Sequence, residues 1–209
     1  MAGRRARRPD IRGMVQRGEA RELIEAVRRS DRGTVCDILD ALVGLGDAAV
    51  PALLGALRDE DHRVHAVASI ALGKIGKPAV LPLVRAFREE DGVVRPKIAS
   101  ILADIGDPAL EEMAAALRDH DEEVRVLSAL ALGEMRNSRA IDHLIVALGD
   151  GSVKVRAQAA ISLGELGAPA GEEALARVAE TDESPAVRQL AGNALIRVRR
   201  VKEDRAASR

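Results

Sequence analysis

Apolar residues fall into short blocks with helical spacing, and the blocks themselves return about every thirty residues. Val35, Val64, Val94, Val124, Val155 and Val187 stand 29, 30, 30, 31 and 32 residues apart. Nine positions beyond each comes Gly44, Gly73, Ala103, Gly133, Gly164 and Ile196, preceded by Val43, Leu72, Leu102, Leu132, Leu163 and Leu195. A second glycine follows in four copies, at Gly46, Gly76, Gly106 and Gly167. Asp61, Asp91, Asp121, Ser152 and Ser184 each precede the valine by three. All are residues whose side-chain oxygen can accept an unpaired N–H in the first turn of a helix. A helix is therefore predicted from each cap to the second glycine, which ends it in a left-handed turn. Asp47, Asp107 and Ser138 then read as caps of a second helix, with Pro78, Pro108 and Pro169 opening the turn. That second helix carries Val80, Leu83, Val84 and Phe87 in one copy and Ile141, Leu144, Ile145 and Leu148 in another. Alternating apolar runs bounded by turn residues, the signature of strands, are absent.

Two helices of about ten residues are not stable alone in water, whereas stacked pairs bury a continuous core. The expected fold is all-α: a right-handed α-α superhelix of about six helical hairpins plus an N-terminal capping helix over Glu19 to Ser30. The expected organisation is a basic arm at 1–10, a repeat solenoid at 11–202 and a disordered tail at 203–209. Units fall near 30–58, 59–90, 91–119, 120–150, 151–180 and 181–201.

The stretch D-x-x-V-R-x-x-A-x-x-A-L-G-x-I-G carries a resemblance. It is seen over Asp61–Gly76 (with His65 in place of Arg), Asp121–Met135 and Ser152–Gly167. It is similar to the HEAT-repeat superfamily, and among its branches to the HEAT-like repeats of phycobilin lyases. The resemblance runs from about Ser30 to Val198. It implies a scaffold whose second helices line a concave, partner-binding face. It also implies a test for one enzyme class, because deoxyhypusine hydroxylases of this superfamily hold iron through His-Glu pairs two and three residues after the repeat valine. Here those positions read Ala66-Val67, Pro96-Lys97, Val126-Leu127, Ala157-Gln158 and Gln189-Leu190, so that activity is not expected.

Composition sharpens this picture. The 209 residues hold one Phe and no Tyr or Trp, yet 47% are hydrophobic, so the interior is filled by small aliphatic side chains between closely spaced helices. Lys plus Arg is 32 against 33 for Asp plus Glu, a net charge of -1, which argues against a nucleic-acid coat or polybasic membrane protein. Lone Cys36 excludes an intramolecular disulfide and is expected to be at least half-buried as a small hydrophobe. The opening MAGRRARRP lacks the apolar stretch of a signal peptide, so the cytoplasm is the expected location.

No chemistry-bearing constellation emerges. His62, His65, His120 and His143 lack the companions of a metal site, the glycines are helix ends rather than a phosphate loop, and no nucleophile motif occurs; no cofactor or metal is expected. Arg95, Arg125, Arg156 and Arg188 follow the valine in four consecutive units and form a ladder that is expected to neutralise cap carboxylates such as Asp91 and Asp121. The remaining candidates are the exposed positions of the second helices. They are Pro51, Arg58, Leu81, Pro82, Arg85, Arg88, Glu111, Glu112, Arg118, Asp142, His143 and Arg177, apolar and basic early, mostly acidic later. The expected function is a non-catalytic, monomeric scaffold binding a protein or peptide there. Two alternatives stand: a lyase-like or enzyme-associated role, and nucleic-acid association. The latter would act through the basic ends, Arg4, Arg5, Arg7 and Arg8, and Arg197, Arg199, Arg200, Lys202, Arg205 and Arg209.

Overall fold

The computed structural model describes residues 9–207, with the backbone alone for 205–207. Among these residues there are thirteen α-helices, four short 3-10 turns and no strand. The chain divides into two compact units, Met1–Ile105 and Gly106–Arg209. Unit 1 holds α1 (Ile11–Gln16), α2 (Ala20–Ala26), α3 (Arg32–Gly44), α4 (Val50–Ala56), α5 (His62–Ile75), α6 (Lys77–Glu89) and α7 (Val94–Ile105). Unit 2 holds α8 (Leu110–Ala116), α9 (Glu122–Glu134), α10 (Ala140–Ala147), α11 (Val153–Leu166), α12 (Glu172–Thr181) and α13 (Pro185–Ala207). The boundary cuts the third repeat, α7 on one side and α8 on the other. Consecutive helices pair as α1/α2, α3/α4 and α5/α6 in unit 1 and as α9/α10 and α11/α12 in unit 2. The odd helix is α13, which continues through 203–207, the stretch the pattern assigns to a tail.

Three first helices begin as the spacing predicts, whereas α7 starts only at Val94, behind a turn at Gly92 and Val93, so Asp91 is not its cap. Asp61, Asp121 and Ser152 accept the N–H of Arg63, Glu123 and Lys154 at 2.9, 2.8 and 3.1 Å. Val64, Val124, Val155 and Val187 are buried, as are Leu72, Leu102, Leu132 and Leu163. On the second helices Leu53, Leu83, Met113, Leu144 and Leu175 form the buried row, each with 0% exposure. Large rings are not needed: Phe87 alone supplies one.

The first copy departs from the expected register by one residue. Asp31 accepts the N–H of Thr34 at 2.8 Å, and Thr34, Ile38 and Leu42 are buried while Val35 and Val43 are only half-buried. Thr34, thirty residues before Val64, holds the valine's place. Cys36 is then turned outward and exposed, not half-buried. Asp47 and Asp107 are not caps; each lies inside a single 3-10 turn, Gly46–Ala49 and Asp107–Ala109. Ser138 does not cap α10 either, which starts without a side-chain cap bond. The chain enters α4 and α8 through 3-10 turns and α10 through a turn in which Ala140 and Ile141 donate three residues back; such i→i+3 bonds use the N–H groups a cap would serve.

Two helix crossings in unit 2 are unusually close. A Cβ on Gly133 would lie 2.6 Å from Ser162 Cβ, and one on Gly164 would lie 2.8 Å from Ala194 Cα. Gly73, at the same repeat position, has nothing within 4 Å. The residue at the place of Ser162 and Ala194 in the next repeat is Ile101, bulkier than either and buried.

Candidate interaction surface

The side chains the pattern places outside the second helices do lie outside them. In unit 1, Pro51 is exposed in the first turn of α4, where its missing N–H costs nothing. Arg58, just past α4, is exposed and ion-pairs with Glu90 at the end of α6, tying neighbouring second helices together. On α6, Leu81 is 68% exposed, Pro82 half-buried, and Arg85 and Arg88 exposed. Leu81, Arg85 and Arg88 share one helix face by their spacing of four and three, and Arg88 already has a partner within the fold. Pro82 sits inside α6, so the ladder loses the N–H that would reach the carbonyl four residues back.

In unit 2, Glu111 is exposed but taken: it pairs with Arg139, whose guanidinium also lies 3.3 Å from Asp107. Glu112 is half-buried; Asp142 and Arg177 are exposed. Arg118 and His143 are brought together on a cavity of about 380 Å³ between α8 and α10, beside Val146, which is 69% exposed. Arg177, on α12, is not part of it.

In unit 2 the arginine ladder is present as Arg125, Arg156 and Arg188, and its partners differ from the expected caps; Arg95, in unit 1, is buried with a partner within the fold. Arg125 Nε and Nη2 donate to Asp150 at 2.9 and 3.1 Å, and Arg156 grips Asp182 in the same way at 2.8 and 3.0 Å. Each also donates back to a carbonyl six residues upstream, Asp119 for Arg125 and Asp150 for Arg156. Arg188 makes the same backward bond to Asp182. The acids belong to the end of the next second helix, where Asp119, Asp150 and Asp182 each accept the N–H two residues on. In unit 1 Asp59 does likewise for Asp61, and Arg28 of the preceding repeat holds its carboxylate at 3.0 and 2.5 Å. His65, standing where the ladder arginine would, places Nδ1 3.4 Å from the Asp59 carbonyl. The hydrogen bond from Arg28 holds Asp59 below the usual carboxylate range, and that from Arg156 does the same for Asp182. Asp150 is lowered too: burial opposes its charge, but Arg125 and the Ser152 N–H outweigh it. These acids, at a repeat of about thirty and two residues before the next cap, were the residues the motif reading passed over.

The basic ends divide. Arg199 and Lys202 both reach Glu172, at 3.1 and 2.8 Å, and Val201 packs against Gly167, so this part of α13 is stitched to its own unit. Arg4, Arg5, Arg7 and Arg8, Arg209 and the side chain of Arg205 lie outside the described residues. Among the described residues no three His, Cys, Asp or Glu side chains are arranged to hold a metal ion. No single described helix is long and apolar enough to cross a membrane; one bent pair, α3 with α4, meets the length and composition alone, and its Ile38, Leu42 and Leu53 are buried in the stack.

Stacked helix pairs of about thirty residues, with buried valine and leucine rows and an Arg–Asp ladder, define a helical repeat protein of the HEAT and armadillo class. The chain belongs to the HEAT-repeat family: the family's repeats match over residues 20–96, 82–153 and 141–208. Among solved structures it is similar to the complex of CpcE and CpcF of phycocyanin lyase from Nostoc sp. PCC7120, at 25% identity and a TM-score of 0.55, over 70% of this chain and 98% of that one. Human deoxyhypusine hydroxylase matches with 20% identity and a TM-score of 0.52, over 91% of this chain and 88% of that one. No curated protein matches.

Proposed function

We propose that the protein is a non-catalytic adaptor of the cytoplasm that binds a protein or peptide partner along the exposed, concave face of its second helices. The observation that carries the reading is that this face, in each unit, holds a large aliphatic side chain more than two-thirds exposed. They are Leu81 on α6 and Val146 on α10, both near cations, Arg85 and Arg118. An uncovered aliphatic beside a cation is a binding feature that internal packing does not require. Similarity to the phycocyanin lyase complex supports it, because that relative is a HEAT-like protein found in assembly with another chain. The test is capture of the native partner from the cell that makes the protein, with the wild type and with Leu81→Asp/Arg85→Glu. Loss of capture with unchanged far-ultraviolet circular dichroism is the expected result; undiminished capture would refute the assignment of the α6 face.

The same similarity favours a second reading, in which the chain is the non-catalytic member of an enzyme complex. A chromophore-transfer assay with the captured partner present and absent separates the two. Nucleic-acid association has less support, since Glu172 already engages two of the basic side chains of α13.

A further inference from the structure

We propose that the cavity between α8 and α10 is a subsite for an acidic residue of a partner peptide, with the neighbouring apolar residue of that peptide lying on Val146. This rests on the reading of the second helices as a binding face and gives that face a ligand chemistry. The cavity is about 380 Å³, and Ala114, Leu117 and Ala147 give it an apolar wall beside its charged groups. Its charged groups are of two kinds. Asp150 is committed to Arg125 at 2.9 Å and to the Ser152 N–H at 2.8 Å, and Asp119 accepts the Asp121 N–H at 3.1 Å and lies 3.0 Å from His120 Nδ1. Arg125 spends its donors on Asp150 and on the carbonyls of Asp119 and His120. Arg118 and His143 are the groups on this cavity with donors not engaged by any described residue. One is a permanent cation and the other half-buried. With Arg125 and Asp150 committed to each other and Asp119 bonded within the fold, the guanidinium left open to a ligand is that of Arg118, so the cavity suits a carboxylate and disfavours a basic segment. Exposed Val146 on the rim adds the apolar contact that a carboxylate alone would not use.

Random-peptide display on the immobilised full chain tests this. Selected peptides are expected to carry Asp or Glu next to Leu, Ile, Val or Met. One such peptide, synthesised with a fluorescent label, is expected to lose about tenfold in affinity on Arg118→Glu, and to regain it in that variant when its acid is replaced by Lys. Val146→Asp is expected to weaken it as well, with circular dichroism confirming that both variants stay folded. Peptides without an acid, no selected peptide at all, or affinity indifferent to Arg118→Glu would each overturn the subsite. Should the selected peptides be lost instead on Leu81→Asp/Arg85→Glu, the binding face stands and this subsite falls.

Discussion

Alanine at Gly133 and alanine at Gly73 should move stability in opposite directions, although both glycines hold the same place in the repeat. At Gly133 the new Cβ would sit 2.6 Å from Ser162 Cβ and Oγ and 3.1 Å from Ser162 Cα. Carbon atoms prefer about 3.5–4.0 Å, so α9 and α11 must part by about 1 Å at their crossing. The Ser162 hydroxyl donates to the Ala129 carbonyl at 2.9 Å across that crossing, and the parting strains this bond too. Overpacking of this kind costs about 1–3 kcal/mol, offset by alanine's helix preference over glycine of about 1 kcal/mol, for a net loss of up to about 2 kcal/mol. At Gly73 nothing lies within 4 Å; the position borders an open surface hollow with Ile70, Lys74 and Asp104. Only the helix preference remains there, a gain of about 0.5–1 kcal/mol. For a chain of this size 1 kcal/mol is about 2–4 °C in Tm. Thermal melts followed by circular dichroism, with urea midpoints alongside, should therefore show a drop for Gly133→Ala and a rise for Gly73→Ala. Equal shifts, or a more stable Gly133→Ala, would show that α9 and α11 do not approach as described.

Arg136 has a φ of 49° at the place where Gly76 and Gly106 have 70° and 72°; Arg136→Gly should relieve that backbone and raise stability by up to about 1 kcal/mol, read by the urea midpoint. Asp182→Ala should leave Arg156, whose side chain is 8% exposed, only Glu183 and the carbonyls of Asp150 and Gly151, and cost about 1–3 kcal/mol, with faster amide exchange concentrated in α11 to α13. Asp59, Asp150 and Asp182 are held below their ordinary range in the folded chain. Their contribution is thus complete above the unfolded carboxylate value of about 3.9 and is lost as pH falls through the folded values. Tm should be level from neutral to about pH 5 and fall below about pH 4, and Arg125→Gln/Arg156→Gln should flatten that fall.

The repeat was legible because a period of about thirty and helical spacing within it are one-dimensional signals. Asp61, Asp121 and Ser152 announced their helices, and the exposed row from Pro51 to Arg177 followed once Leu53, Leu83 and Leu144 were placed inside. The first copy misled because Thr34 is a poor substitute for valine in a search by hydrophobicity, while Val35 and Gly44 mimic the register one residue late. Asp31, three before Thr34, held the correct phase. What no local pattern carried was pairing between helices. Arg125 and Asp150 are 25 residues apart and meet only when helices stack. For the same reason Gly73 and Gly133 look alike in the sequence and differ in the fold, where Ser162 meets Gly133 and nothing lies within 4 Å of Gly73.

The measurement that bears most directly on the account is hydrogen–deuterium exchange of the protein with and without its captured native partner. Added protection in α4, α6, α8 and α10, strongest around Leu81 and Val146, is the predicted outcome. Protection confined to the first helices α5, α9 and α11 would place the partner on the opposite side of the stack and contradict it.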